Sequence, residues 1–213
     1  MMRPLGFIFA CALFFLPACA DRSGQGNNEM ERESAGEVTL ESIVVLRCEH
    51  DRVDSGDNSA AAHRLDQGCT VLNTLVAQYF GLQKNVTILS AGQQEALMGT
   101  FIGDLHQRAR HIGRGAQGDA VLVTNLNTYQ QLEGTKYGAE EPASVGFDYS
   151  LIHVESGRIL CRGSYQETQK TLLSDLFSFS KAARRHFQFV SAETLLQEGV
   201  VRKFSDCPHL TIP

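Results

Sequence analysis

Residues 142–169 read Pro-Ala-Ser-Val-Gly-Phe-Asp-Tyr-Ser-Leu-Ile-His-Val-Glu-Ser-Gly-Arg-Ile-Leu-Cys-Arg-Gly-Ser-Tyr-Gln-Glu-Thr-Gln, and this stretch decides the fold. Val145, Phe147, Tyr149 and Leu151 alternate with Ser144, Gly146, Asp148 and Ser150, the two-residue period of a strand with one buried face. Glu155-Ser156-Gly157 turns the chain, and a second run follows from Arg158 to Glu167. A two-residue Ser-Gly loop would set Phe147 against Gln166 and Leu151 against Arg162. A three-residue loop, with Gly157 left-handed, sets Phe147 against Tyr165 and Leu151 against Cys161. Only the second register keeps one face apolar, and glycine takes the left-handed position without strain. The sequence therefore predicts a long hairpin closed by a three-residue loop.

Working outward, Ser42–Cys48 is a short run rich in β-branched residues and reads as a buried first strand. Residues 50–63 are polar and read as a loop. Leu65, Cys69, Leu72, Val76 and Phe80 recur at helical spacing until Gly81 stops them. Val86–Leu89 is a second strand and Gln93–Met98 a helical turn. Phe101–Ile112 predicts a helix with Ile102, Leu105, Ala109 and Ile112 on one face, and Asp119–Leu126 is a third strand. Beyond the hairpin, Leu172, Leu173, Leu176, Phe177 and Phe179 are apolar enough to cover a sheet. Ser191 caps a last helix that carries Leu195, Leu196, Val200 and Phe204 and ends before Pro208. The expected fold is α/β: a mixed sheet of about five strands with packed helices and a long β-hairpin in the second half.

The N-terminal residues read differently. Arg3 is the only charge in residues 1–18, and an apolar run follows over Leu5–Leu16, the composition of a signal peptide and too short for a spanning helix. Leu16-Pro17-Ala18-Cys19 resembles the lipobox of bacterial lipoproteins, which implies cleavage before Cys19 and acylation of its thiol. A plain signal peptide with Cys19 incidental is the alternative. Residues 19–41 are polar and read as a lipidated cysteine on a flexible tether, spanning on the order of 25 Å for about 20 residues. Residues 42–213 are left for a single α/β periplasmic domain. Ala20, rather than Asp, follows the cysteine, which by resemblance points to the periplasmic face of the outer membrane. Cleavage takes the formal charge from -5 to -6, Arg3 being the only charge lost. That balance argues against a nucleic-acid partner.

Motifs of chemistry are sparse. Gly113-Arg-Gly115-Ala-Gln-Gly118 fits Gly-x-Gly-x-x-Gly, yet a dinucleotide fingerprint needs those glycines after a strand and before a helix. Here they follow a helix and precede a strand, as a C-cap and turn. His106 and His111 splay by about 140° on a helix, and no metal or cofactor pattern emerges. Asn85-Val-Thr87 reads as a turn before a strand. Lys181-Ala-Ala-Arg-Arg-His186 is one basic cluster and reads as a solvated turn. Cys48, Cys69, Cys161 and Cys207 form an even set in an exported chain; they allow three disulfide connectivities. Cys48 with Cys69 and Cys161 with Cys207 is the pairing expected, with buried free thiols as the alternative.

Gly118-Asp-Ala-Val-Leu-Val, Pro142-Ala-Ser-Val-Gly-Phe, Ser156-Gly-Arg-Ile-Leu, Gly163-Ser-Tyr-Gln-Glu-Thr-Gln and Leu173-Ser-Asp-Leu-Phe resemble a group of bacterial envelope lipoproteins. That group is similar to proteins sharing the N-terminal fold of the Tol-system propeller protein, among them the curli-secretion type and lipoprotein activators of penicillin-binding proteins. The resemblance covers residues 118–206 and implies a fold and an envelope location, with no catalytic residues. The chain is expected to be no enzyme and to need no cofactor, its membrane contact running through N-terminal acyl chains. Its expected partner is another envelope protein or a second copy, in envelope assembly or maintenance. A peptidoglycan-acting or other hydrolase with a site assembled from distant residues is the alternative. Tyr129, Leu132 and Tyr137, in the connection from Asn127 to Glu141, are the candidate partner contacts; a hairpin extension in which the tyrosines cover neighbouring strands is the alternative.

Overall fold

The computed structural model describes residues 39–50, 59–81, 83–134, 139–169 and 190–211. The residues read as a signal peptide, Cys19, the stretch read as a tether up to residue 38, Tyr137, the apolar residues 172–179 and the basic cluster 181–186 lie outside them. The described domain belongs to a compact unit, Thr39–Pro213.

Its elements run β1 (Ile43–Val45), α1 (Ser59–Phe80), β2 (Val86–Ile88), α2 (Ala91–Met98), α3 (Leu105–Gly115), β3 (Ala120–Gln130), β4 (Glu133–Gly134), β5 (Ala139–Glu141), β6 (Ser144–His153), β7 (Ile159–Thr168) and α4 (Ala192–Ser205). Five strands form one sheet in the order β2-β1-β3-β6-β7, and β4 pairs with β5. β1 is parallel to both β2 and β3, whereas β3, β6 and β7 form an antiparallel meander. The fold is thus α/β with a mixed sheet, as the order of apolar runs indicates.

Alternation of side chains sorts the core into two layers. Ile43, Val45, Ala120, Leu122, Phe147, Tyr149 and Leu151 face α1 and α4, where they meet Leu72, Val76, Leu196 and Phe204. Val44, Leu46, Val121, Val123, Ile152 and Val154 face the other way, onto Leu89, Ala109 and Ile112. Two capping boxes start the short helices, Ser90 with Gln93 and Asp104 with Gln107.

The hairpin keeps the expected register, with Phe147 opposite Tyr165 and Leu151 opposite Cys161, and Gly157 at φ 74°. Its loop is longer than the three residues expected. His153 N–H donates to Arg158 O, and Gly157 N–H to His153 O, so Val154–Gly157 is a four-residue loop. Ile152 then pairs with Ile159 and Leu151 with Cys161, leaving Leu160 as a one-residue bulge that restores the register. Arg110 of α3 braces this loop by donating to Val154 O and Glu155 O.

Four further boundaries differ from the sequence reading. β1 stops at Val45 because side chains take its next amides: Arg47 N–H donates to Gln94 Oε1 and Cys48 N–H to Asn73 Oδ1. α1 starts at Ser59, inside the stretch read as loop. α3 begins at Leu105 rather than Phe101, since Asp104 caps it, and Ile102 stands 94% exposed instead of facing the core. Gly113 is inside that helix, where a Cβ would lie 2.3 Å from Val121 Cγ2, so it serves close packing and not a cap.

Candidate functional site

β1 is where the connections diverge, with α1 on one face of the sheet and α3 on the other. In open α/β sheets the crevice beyond such a strand's carboxyl end is the usual ligand position. Here the segment after Val45 runs on along β3, with Glu49 N–H donating to Thr124 O and Leu126 N–H to Glu49 O. The Glu49 carboxylate is 2.9 Å from Arg108 Nη2, and His50 Nε2 is 2.9 Å from Asp66 Oδ1. A disulfide between Cys48 and Cys69, Cα atoms 5.3 Å apart, fastens this segment to α1. Arg108 Nε is buried without a hydrogen-bond partner among the described residues. The chain's own side chains thus meet at the crevice, where the Arg108 guanidinium neutralises the Glu49 carboxylate. Among the described residues no group of three or more His, Cys, Asp or Glu could hold a metal ion.

A second disulfide joins Cys161 of β7 to Cys207 just after α4, with Cα atoms 6.0 Å apart. Cys207 is buried and Cys161 half-buried.

At the hairpin turn His153 Nδ1 lies 2.8 Å from Ser156 Oγ. Ser156 N–H also donates to Nδ1, and Arg158 N–H donates to Ser156 Oγ. The imidazole lone pair is therefore spent on the turn's own amide, which makes the pair a clasp for the loop rather than a poised base and nucleophile.

Asp119 closes the opposite end of the sheet. Its Oδ2 accepts from Glu41 N–H at 2.9 Å, Ser42 N–H at 2.9 Å and Ser42 Oγ at 3.1 Å. Burial acts to raise its pKa, but these bonds and the nearby His153 outweigh burial and hold the carboxyl below its ordinary value. A carboxyl depressed in the folded state stabilises above its unfolded pKa, about 3.9, and that stabilisation is lost as pH falls through the folded value. Comparing thermal melts of the parent and Asp119→Ala from pH 7 to pH 3 should show a constant deficit down to about pH 5 and a shrinking one below about pH 4. A deficit as large at pH 3 as at pH 6 would contradict the role given to the carboxylate.

Of the candidate contact residues, Tyr129 and Leu132 are among the described residues and form no exposed patch. β3 runs on to Gln130, past a bulge at Asn127 whose Nδ2 donates to Asp148. Tyr129 is consequently buried beneath α1, where a Cβ on Gly68 would lie 2.5 Å from its ring, and Gln131 Nε2 donates to its hydroxyl. Burial, and secondarily Glu193, raises its pKa. Leu132 is half-buried against the same core. Tyr129 is thus corrected from a partner contact to a core residue, in line with the alternative of an extended hairpin: the bulge shifts the side-chain alternation, and the segment extends the sheet.

Sequence reasoning missed the surface beside β2. β2 lies at the sheet edge, and its outer side has no strand among the described residues. Ile88 is 41% exposed there. Between β2 and α2 runs a shallow groove of about 380 Å³ lined by Thr87, Leu89, Gln93, Ala96, Leu97 and Ala116. The parallel ladder to β1 uses the amides of Thr87 and Leu89, so the amide and carbonyl of Ile88 face outward. Such an edge can accept an extended chain by backbone hydrogen bonds, with alternate side chains entering the groove. The brevity of the Val86–Leu89 run, short enough for an edge, was the signal available in the sequence.

No family model matches the chain, and no curated protein matches it. Solved structures similar to it include the PelC dodecamer from Paraburkholderia phytofirmans, at 16% identity over 75% of this chain and 84% of that one, TM-score 0.37. The C-terminal domain of LpoB from Escherichia coli is 17% identical over 63% of this chain and 88% of that one, TM-score 0.34. Lipoprotein GNA1162 from Neisseria meningitidis is 13% identical over 69% of this chain and 94% of that one, TM-score 0.34.

Proposed function

We propose that the chain is a lipid-anchored envelope lipoprotein, held at the periplasmic face of the outer membrane through Cys19, whose domain binds an extended segment of another envelope protein without catalysing a reaction. The observation that carries the binding role is the outer side of β2, where the outward amide and carbonyl of Ile88 run beside the groove lined by Leu89, Ala96, Leu97 and Ala116 on one face of the sheet, while the exposed Ile88 side chain lies on the other face. The polar tether over residues 19–41 supports the same reading by giving the domain reach from the bilayer. The occupant is a β-strand by chemistry, because only an extended chain presents amides and carbonyls at the spacing of this edge.

A photo-crosslinking residue in place of Ile88, in the native envelope, tests this. It should trap a discrete protein adduct that the same residue in place of Val201, on α4, does not. Ile88→Lys, a substitution that blocks edge pairing, should abolish the partner's co-purification while leaving the melting temperature within about 2 °C, as for an exposed site. Co-purification unchanged by Ile88→Lys would remove the edge as the binding site.

A further inference from the structure

Residues 105–118 contain three arginines and two histidines and no acidic residue, in a chain of formal charge -5. They build α3 and the turn after it. α3 buries Ala109, Ile112 and Gly113, so Gln107, Arg110, His111 and Arg114 fall on its outer side. The loop entering the helix folds back over that side. The Phe101 ring stacks on His111, centroids 4.2 Å apart and planes within 9°. Next to it Ile102 is 94% exposed, the most exposed large apolar side chain among the described residues.

The charges around this apolar knob are not all available. Arg108 is paired with Glu49, and Asp104 is turned into the helix N-terminus by accepting from Gln107 N–H. Arg110 donates to two carbonyls and keeps its charge, while Arg114 is exposed in the last turn. Arg158 is exposed in the hairpin loop that Arg110 braces. Glu95 of α2 and Glu155 of that loop are the exposed acids on the neighbouring elements.

We infer that the outer side of α3, with Phe101 and Ile102 at its tip, is a docking surface for an anionic phospholipid bilayer and sets how the domain lies on the membrane. Arginines flanking a protruding apolar pair match the layering of an interface, with cations at phosphate level and apolar side chains at the acyl boundary. A lipid surface fits better than an acidic protein because Ile102 stands clear of the described residues. Protein hot spots are packed into complementary pockets, whereas a fluid bilayer accepts a lone protrusion. Two apolar side chains are too few to hold the domain alone, so the inference rests on the anchored reading above, in which the acyl chains supply the first signal and this surface the second.

The sequence contains no tryptophan, so Ile102→Trp in the full chain creates a single reporter at an exposed site, and Val201→Trp, where Val201 is 52% exposed, serves as the control. The acylated proteins are reconstituted into phosphatidylcholine vesicles with and without phosphatidylglycerol, and flotation reports the anchor separately. The reporter at 102 should shift to the blue and be quenched by brominated lipid several-fold more than the control. The effect should be greater with phosphatidylglycerol and reduced by adding Arg114→Glu. Chain that floats while position 102 is no more quenched than position 201 overturns the docking surface and leaves the anchor standing. Chain that fails to float removes the anchor and this inference with it. A blue shift produced equally by soluble polyglutamate would assign the face to an acidic protein instead.

Discussion

Replacing Phe204 with alanine is expected to lower the unfolding free energy by about 3–5 kcal/mol, the cost of removing a buried aromatic and leaving a cavity. The side chain is fully buried, and its ring meets those of Tyr79 at 5.3 Å, Phe80 at 5.9 Å and Tyr149 at 5.2 Å. It therefore fastens α4 to both α1 and the sheet. The hydroxyls of the two tyrosines are fixed independently, Tyr149 donating to Lys203 O and Tyr79 to Leu210 O, which keeps the rings from collapsing into the space. Urea unfolding of the purified chain measures the loss. A loss below about 1 kcal/mol, the range of a surface substitution, would show that the α4 packing described here is wrong.

Removing the Cys161–Cys207 bond by changing both residues to alanine should cost about 4 kcal/mol, and removing Cys48–Cys69 the same way about 3 kcal/mol, by the loop-closure entropy of the unfolded chain. The ordering follows from sequence separation, 46 residues against 21. It is the more secure part of the expectation, because native strain alters absolute values more than rank. Position adds to it. The longer loop holds an edge strand to the last helix, and β7 has only β6 as a strand neighbour among the described residues. Denaturant midpoints of the two double variants decide the matter, and a Cys48/Cys69 variant less stable than the Cys161/Cys207 variant would refute the entropic account.

The hairpin was legible because only one register keeps Val145, Phe147, Tyr149 and Leu151 opposite apolar partners. Its loop length was not, since apolar pairing in the body says nothing about where an extra residue sits, and Leu160 absorbs it beyond the turn. The α3 boundary was misread for the opposite reason. Phe101 and Ile102 continue a helical apolar pattern, whereas Asp104 and Gln107 carry a capping-box signal that overrides it. Tyr129 was left between two readings because the bulge at Asn127 breaks the two-residue period, so the side chain returns to the core face out of phase. The β2 groove depends on α2 lying beside a three-residue strand. A contact of that kind arises from tertiary packing and leaves no periodic trace. The Glu49–Arg108 pair joins residues 59 apart, which local pattern cannot bring together.

The two disulfides have a consequence for biogenesis. Their partners are consecutive along the chain, 48 with 69 and then 161 with 207, with no interleaving. A chain made from its N-terminus presents Cys48 and Cys69 together long before Cys161 exists. If each pair of these four thiols is oxidised in order of appearance, the native connectivity results directly. Such a protein needs an oxidant for its maturation and has no inherent need of an isomerase to reshuffle those four cysteines.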